Sequence, residues 1–207
     1  MIHVETTIRA DLDALWRHTQ DPAAHRRWDL RFGRIDPLAD GRFRYATRVL
    51  PGVTVAGDGI ASGTRHRADG TAVSALRFSS DDRRSIIRSG AGYWRYEPTP
   101  DGIRFHTGYD YRVRWARLGR LADRAFRPVF GWATAWSFDR LRLWLEEGVP
   151  PERALRHALI DLGGRIGIVA VVALVSGPAE TLVAAGLVAV VPPCRRTPAA
   201  RRCEWSA

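Results

Sequence analysis

The sequence contains no lysine: all 32 of its basic residues are arginine, so a net charge of +10 over 207 residues rests on guanidinium groups alone. A polynucleotide binder gathers such charge on one face or stripe, whereas Arg42, Arg44 and Arg48 alternate with apolar residues along a single segment. These arginines read as a solvated sheet face, and no nucleic-acid partner is expected. Cysteine is nearly absent as well. Cys194 and Cys203 both fall in the basic segment at the end of the sequence, where a bridge would close a short loop and support no core, so a disulfide-stapled secreted domain is not expected. The opening MIHVETTIRADLDALW has no basic stretch followed by a long apolar one, which gives no signal peptide and places the main domain in the cytoplasm.

The usual chemical signatures are also missing. Six histidines (His3, His18, His25, His66, His106, His157) form no HxxxH or HExxH unit, and no CxxC occurs, so no metal site is expected. Gly90-Ala91-Gly92 lies in a strand-like segment without the helix N-terminus that phosphate binding requires, and there is no GxSxG elbow. Nucleotide and serine-hydrolase readings fall away, and no cofactor is expected.

What is present is enough apolar material to fold: 45% hydrophobic residues and eight tryptophans. The length suits one domain plus an appendage. Ile2 to Ile8 alternates as a strand, Asp11 precedes a helix carrying Leu12, Leu15 and Trp16, and Asp21-Pro22 breaks that helix and starts a second one ending near Trp28. From residue 32 to 115 short runs separated by Gly, Pro and Asp predict an antiparallel meander with strands at 32–37, 42–49, 53–61, 72–79, 85–97 and 102–115. Pro51-Gly52, Asp69-Gly70 and Asp101-Gly102 supply the turns.

The last strand is the sharpest. Ile103, Phe105, Thr107, Tyr109, Tyr111, Val113 and Trp115 fall on one side, and Arg104, His106, Asp110, Arg112 and Arg114 on the other. A slip of one residue would bury the charges and expose the rings, so its register is strongly specified. In residues 85–97 Tyr93 and Trp94 face oppositely, and Gly90 and Gly92 suggest a bulge or bend. Leu118 to Glu147 is helical: Leu118, Leu121, Ala125, Val129, Trp132, Trp136 and Leu143 form one apolar face, Phe130, Phe138, Leu141 and Leu145 another, with a kink expected at Pro128. A helix this apolar all round needs more than one partner. Gly148-Val149-Pro150-Pro151 then marks a boundary, giving a domain at 1–148, an apolar helical segment at 149–191 and a basic, unstructured tail at 192–207.

The opening IHVETTIRADLDALWRHTQDPAAHRRWD, the six-strand meander and the closing GWATAWSFDRLRLWLE together resemble the helix-grip fold of the START/SRPBCC superfamily. That superfamily includes polyketide cyclase/dehydrase-like proteins and binders of hydrophobic ligands. The resemblance covers residues 1–147 and implies an α+β architecture, with a curved antiparallel sheet of about seven strands wrapped around the long helix and a cavity between them. Carried onto this sequence, the cavity would be lined by Trp28, Tyr45, Phe78, Tyr109, Tyr111, Trp132 and Trp136. The implied partner is a hydrophobic small molecule or lipid, with tyrosine hydroxyls as its polar anchors. A cyclase/aromatase-like activity in the same cavity is the alternative, with Tyr109, Tyr111 and Asp58 as its candidate groups. Asp110 and His106 point to solvent by alternation.

Residues 166–191 are almost wholly apolar, interrupted by Gly177-Pro178 and Glu180. Arginines flank the segment on both sides, and cationic flanks prefer the cytoplasmic face of a membrane. A re-entrant or interfacial hairpin on the inner face of the cell membrane keeps both flanks inside. Packing of these helices on the domain or on another subunit is the other possibility.

Overall fold

The computed structural model describes residues 1–50 and 52–207, with all their side chains except those of residues 50, 116 and 117. Its first half runs β1 (Ile2–Ile8), α1 (Leu12–Gln20), α2 (Pro22–Trp28), β2 (Arg34–Pro37), β3 (Arg42–Leu50), β4 (Val53–His66) and β5 (Ala72–Ser79). Then follow β6 (Ile87–Thr99), β7 (Gly102–Val113), α3 (Ala116–Glu147), α4 (Pro151–Val175), α5 (Pro178–Val190), a 3-10 turn at Ala200–Arg202 and β8 (Glu204–Ser206). The strands form one antiparallel sheet in the order β2-β3-β4-β5-β6-β7-β1-β8, and with α3 packed across it the architecture is an α+β helix-grip fold. Register shifts in β3/β4, β4/β5 and β6/β7 bend the sheet, as bulges do.

Local chemistry explains the boundaries. At the helix break the Asp21 carboxylate accepts from Ala23 N at 2.9 Å and Pro22 occupies the first turn, where its missing N–H costs nothing. Asp11, the expected cap of α1, makes no side-chain cap bond. Gly70 (φ 82°) and Gly102 (φ 132°) turn the chain where expected, whereas Pro51 of the expected Pro51-Gly52 turn lies outside the described residues. Strand β4 runs on to His66, past the expected end. Strand β7 stops at Val113, and Trp115 becomes the half-exposed cap of α3.

Alternation in β7 is realised as read: Ile103, Phe105, Thr107, Tyr109 and Tyr111 are buried, while Arg104, Asp110 and Arg112 are exposed. Glycines let this inner face lie close. Gly57, Gly59, Gly90 and Gly92 sit beneath the rings of Tyr45, Phe43, Phe78 and Tyr109, and a Cβ at any of them would overlap the ring. Gly90 and Gly92 are therefore ring seats in a regular stretch of ladder, with the irregularity further back at Ile87/Ser89.

Helix α3 presents to the sheet Phe126 and Phe130, which pack on Tyr111 and Tyr109 at ring separations of about 6.0 Å, and Phe138, which stacks on Phe105 at 4.5 Å. The stripe read as Leu118–Val129–Trp132–Trp136–Leu143 does not act as one face: Trp136 is buried in the main core. Its far end is covered by the start of α4, where Leu143, Val149 and Ala154 form a small buried cluster, and its near end leaves Leu118, Leu121, Val129 and Trp132 exposed. Because both faces of this helix are apolar, composition alone does not say which meets the sheet. Pro128 sits inside the continuous helix.

The tail, expected to be unstructured, folds back instead. Thr197, Ala199, Ala200 and Cys203 are buried, and β8 adds to the sheet beside β1 in the register His3↔Ser206, Val4↔Trp205, Glu5↔Glu204. The anchor is Asp139, fully buried on α3, which accepts from Arg142 Nε at 2.7 Å, Ala199 N at 2.8 Å and Arg202 Nη1 at 2.9 Å. Cys203 donates to Ala135 O, and burial pushes its thiol up to about 12. Asp139→Ala leaves the buried Ala199 N–H without an acceptor and takes one partner from each of Arg142 and Arg202, so it should cost about 1–3 kcal/mol. It should also release residues 197–206, seen as a lowered urea midpoint and fast amide exchange in β8 while β3 to β6 stay protected.

Candidate functional site

The inner face of the sheet is not uniformly apolar. Just after α2 the run Trp28-Asp29-Leu30-Arg31-Phe32 sends two charges inward, two residues apart, with Asp29 and Arg31 buried and Leu30 exposed. Arg31 holds Asp29 bidentately, Nε to Oδ1 at 2.9 Å and Nη2 to Oδ2 at 2.6 Å, and the carboxylate also takes His25 Nε2 at 3.0 Å. From there the network crosses to the sheet: Arg31 Nη2 donates to the Tyr109 hydroxyl at 3.0 Å, and Trp94 Nε1 donates to the same oxygen at 3.2 Å. Rings of Phe32, Tyr109 and Phe130 lie 4.9–5.5 Å from the guanidinium carbon, so it is packed by aromatic faces as well as bonded.

Burial works against both charges, yet each stabilises the other. Desolvation alone would raise the Asp29 carboxyl; the charge of Arg31 and hydrogen bonds from His25 and Arg31 outweigh it and hold the group well below the usual carboxylate range. For Arg31 desolvation is likewise overcome, by Asp29 first and Tyr109 next, and the guanidinium is locked in its charged form. Two donors are left over. Among the described residues neither Arg31 Nη1 nor the Tyr109 hydroxyl hydrogen has an acceptor, and the two are adjacent through the Nη2–hydroxyl contact. Together they suit one carbonyl or carboxylate oxygen.

The expected lining residues separate into three groups. Tyr45, Phe78, Tyr109 and Tyr111 share the inner face; burial lifts the Tyr45 hydroxyl to about 12, and Tyr111 donates to Asp123 Oδ1 at 2.5 Å. Trp28 is wholly enclosed under α2, its Nε1 donating to His18 O at 2.8 Å, and belongs to the core. Trp132 and Trp136 stack on each other, Trp132 45% exposed and Trp136 buried in the main core beneath Arg140, while Phe126 and Phe130 of the same helix meet the inner-face tyrosines. Asp58 pairs with Arg44 at 3.2 Å on the outer face, which removes it from the aromatic side. An open groove of about 690 Å³ is lined chiefly by that outer face, with Arg42, Asp58, Arg77, Asp110 and Arg112 alternating in sign.

His25, Asp29, Arg31, Trp94 and Phe130 are the residues that motif reading missed. The available signal was the pair of opposite charges set two apart within an apolar run.

No family model matches the chain. It is 45% identical over 166 residues to YndG, an uncharacterised membrane protein of Bacillus subtilis, across 77% of this chain and 62% of that protein. The chain thus spans under two thirds of the relative's length. Among solved structures it is similar to a protein from Arthrobacter aurescens, with a TM-score of 0.53 at 11% identity over 72% of this chain and 87% of the other. It also matches a protein from Rhizobium leguminosarum, with a TM-score of 0.48 at 19% identity over 71% and 95%. The first of these likenesses bears on fold alone.

Asp29→Asn leaves Arg31 buried without its counter-charge and should cost about 3–5 kcal/mol, whereas Tyr109→Phe, which removes a hydroxyl and no charge, should cost about 1–2 kcal/mol. Because folding lowers the Asp29 pKa, its contribution to stability is complete above the unfolded carboxyl value of about 3.9 and is lost as pH falls below it. Urea midpoints measured between pH 7 and pH 2 should therefore drop less steeply in Asp29→Asn than in the parent below pH 4.

Proposed function

We propose that this protein binds a hydrophobic small molecule or lipid between the aromatic face of the sheet and α3, holding an oxygen of that ligand on Arg31 and Tyr109. The observation that carries this reading is the pair of unused donors at the centre of an aromatic face. An apolar site with few, converging polar groups is the usual form of a small-molecule pocket. A charged arginine kept in place by Asp29 and His25 needs no reorganisation when an oxygen arrives. Phe32, Tyr45, Phe78 and Phe130 are only partly buried and offer the apolar contact area.

We further propose that the α4–α5 hairpin rests in the cytoplasmic leaflet of the cell membrane. Both ends of the hairpin are tied to the same domain. At the start, Arg27 grips Glu152 bidentately at 2.8 and 3.0 Å and Arg140 donates to Pro151 O; at the end, Asp139 holds Ala199 and Arg202. The chain must leave and return on one side. A full crossing by α4 would require α5, 13 residues and so about 20 Å long, to come back through about 30 Å of hydrocarbon, which it is too short to do.

A shallower insertion fits. The apolar part of α4 begins after Arg165, which pairs with Asp161 and donates to Val188 O of α5, and the ten residues from there to the break at Ser176 span about 15 Å, half of the hydrocarbon thickness. Ile168, Val171, Leu174, Val175, Leu182, Val183, Leu187 and Val190 are all more than half exposed, so this surface has no cover among the described residues. Glu180 near the tip opposes insertion by about 3 kcal/mol, against 13 Ile, Leu and Val residues at about −0.3 to −0.6 kcal/mol each. Arg153, Arg156, Arg165, Arg195 and Arg196 favour the cytoplasmic side. YndG being a membrane protein accords with this placement.

Native mass spectrometry of the full chain, released from membranes in mild detergent, should find a co-purifying apolar molecule, and Arg31→Met with Tyr109→Phe should lose it. A parent protein that stays empty across lipid and fatty-acid panels would sink the binding proposal. For the hairpin, Ile168→Arg with Leu187→Arg should move the folded protein from the membrane pellet to the supernatant; continued pelleting would overturn the anchor.

A further inference from the structure

We propose that the outer face of the sheet carries a divalent-cation site formed by His3, Glu5 and His106. Alternation places His3 and Glu5 on the same side of β1, and the β1/β7 ladder sets His106 directly opposite Glu5. His3 Nε2 lies 3.6 Å from Glu5 Oε2, the two imidazoles meet edge to face at 5.6 Å, and one ligand atom from each of the three residues lies within 4.8 Å of the others. Two imidazoles and a carboxylate are a donor set that suits zinc and its neighbours in the transition series. Ligand atoms around a tetrahedral zinc stand about 3.3 Å apart, so side-chain rotations of about an ångström close the triangle on an ion.

A second observation singles out this cluster. Both ring nitrogens of His106 are sealed from solvent and have no hydrogen-bond partner among the described residues. Buried imidazole nitrogens normally find one, and a cation between His106, His3 and Glu5 supplies it. The ring is flanked by Tyr93, edge-on at 5.9 Å. Arg104 Nε approaches Glu5 Oε1 at 3.2 Å and leaves Oε2 directed at His3, which orients the carboxylate as a supporting residue of a metal site does.

The tail places a further carboxylate on the same face, outside the group of three. Glu204 of β8 is the ladder partner of Glu5 on its other side, so it lies on the same face of the sheet. A cation held by His3, Glu5 and His106 and reached by Glu204 would clasp the edge strand β8 to β1.

Titration of the full-length protein in detergent with cobalt(II) should give visible d–d absorption at one equivalent that zinc(II) abolishes, and zinc(II) should raise the melting temperature. His106→Ala and, separately, His3→Ala should weaken binding at least about 100-fold, a larger effect than loss of a supporting residue. His157→Ala, remote on α4, should leave it unchanged, and Glu204→Gln should reduce the thermal shift more than the affinity of the triad. A folded parent protein that gives no cobalt spectrum, or binding that survives the combined His3→Ala, His106→Ala variant, overturns the proposal.

Discussion

The two-residue period of the pleat governs this molecule more than any single contact. Once β7 pairs with β6 and β1 in the observed register, every aromatic residue of its odd positions lies inward and every polar residue of its even positions outward. Both candidate sites follow from that one division. Tyr109 reaches Arg31 on one side of the strand, while His106, three residues earlier, meets His3 and Glu5 on the other. Moving the register by one residue would exchange the two surfaces wholesale, so the ligand-binding proposal and the cation proposal rest on the same hydrogen-bond ladder.

The glycines complete that division. An aromatic ring on a sheet usually stands up from the surface, but Tyr45, Phe43, Phe78 and Tyr109 lie over glycines of neighbouring strands. Flattened rings make the inner surface smooth, and Phe126 and Phe130 approach it from α3, edge to face on Tyr111 and Tyr109. Arg31 enters this surface charged and already paired, which is how a cation survives among rings.

Much of this was legible in the residues. The strand from 102 onward, the turns at Gly70 and Gly102, the Asp21-Pro22 break and the long closing helix all have local causes, and local causes are written in adjacent residues. The parts that were not legible depend on distant pairings. Trp132 and Trp136 sit on an apolar face as persuasive as the one bearing Phe130 and Phe138, and only the tertiary packing leaves Trp132 exposed and buries Trp136. Glu204–Ser206 is too short to announce itself as a strand; it pairs because Asp139, some 60 residues earlier, holds Ala199 and Arg202 in place. Arg31 and Tyr109 are separated by 78 residues, and His3 and His106 by still more, so no spacing motif could have joined them.

The Asp139 clasp also orders events in time. Because β8 follows the hairpin in the chain, the apolar helices emerge during synthesis before the edge of the sheet can close, and domains otherwise fold as their residues appear. The hairpin therefore meets its surroundings while β1 is still the open edge of the sheet. Docking of the tail becomes the step that joins the placement of the hairpin to the completion of the sheet.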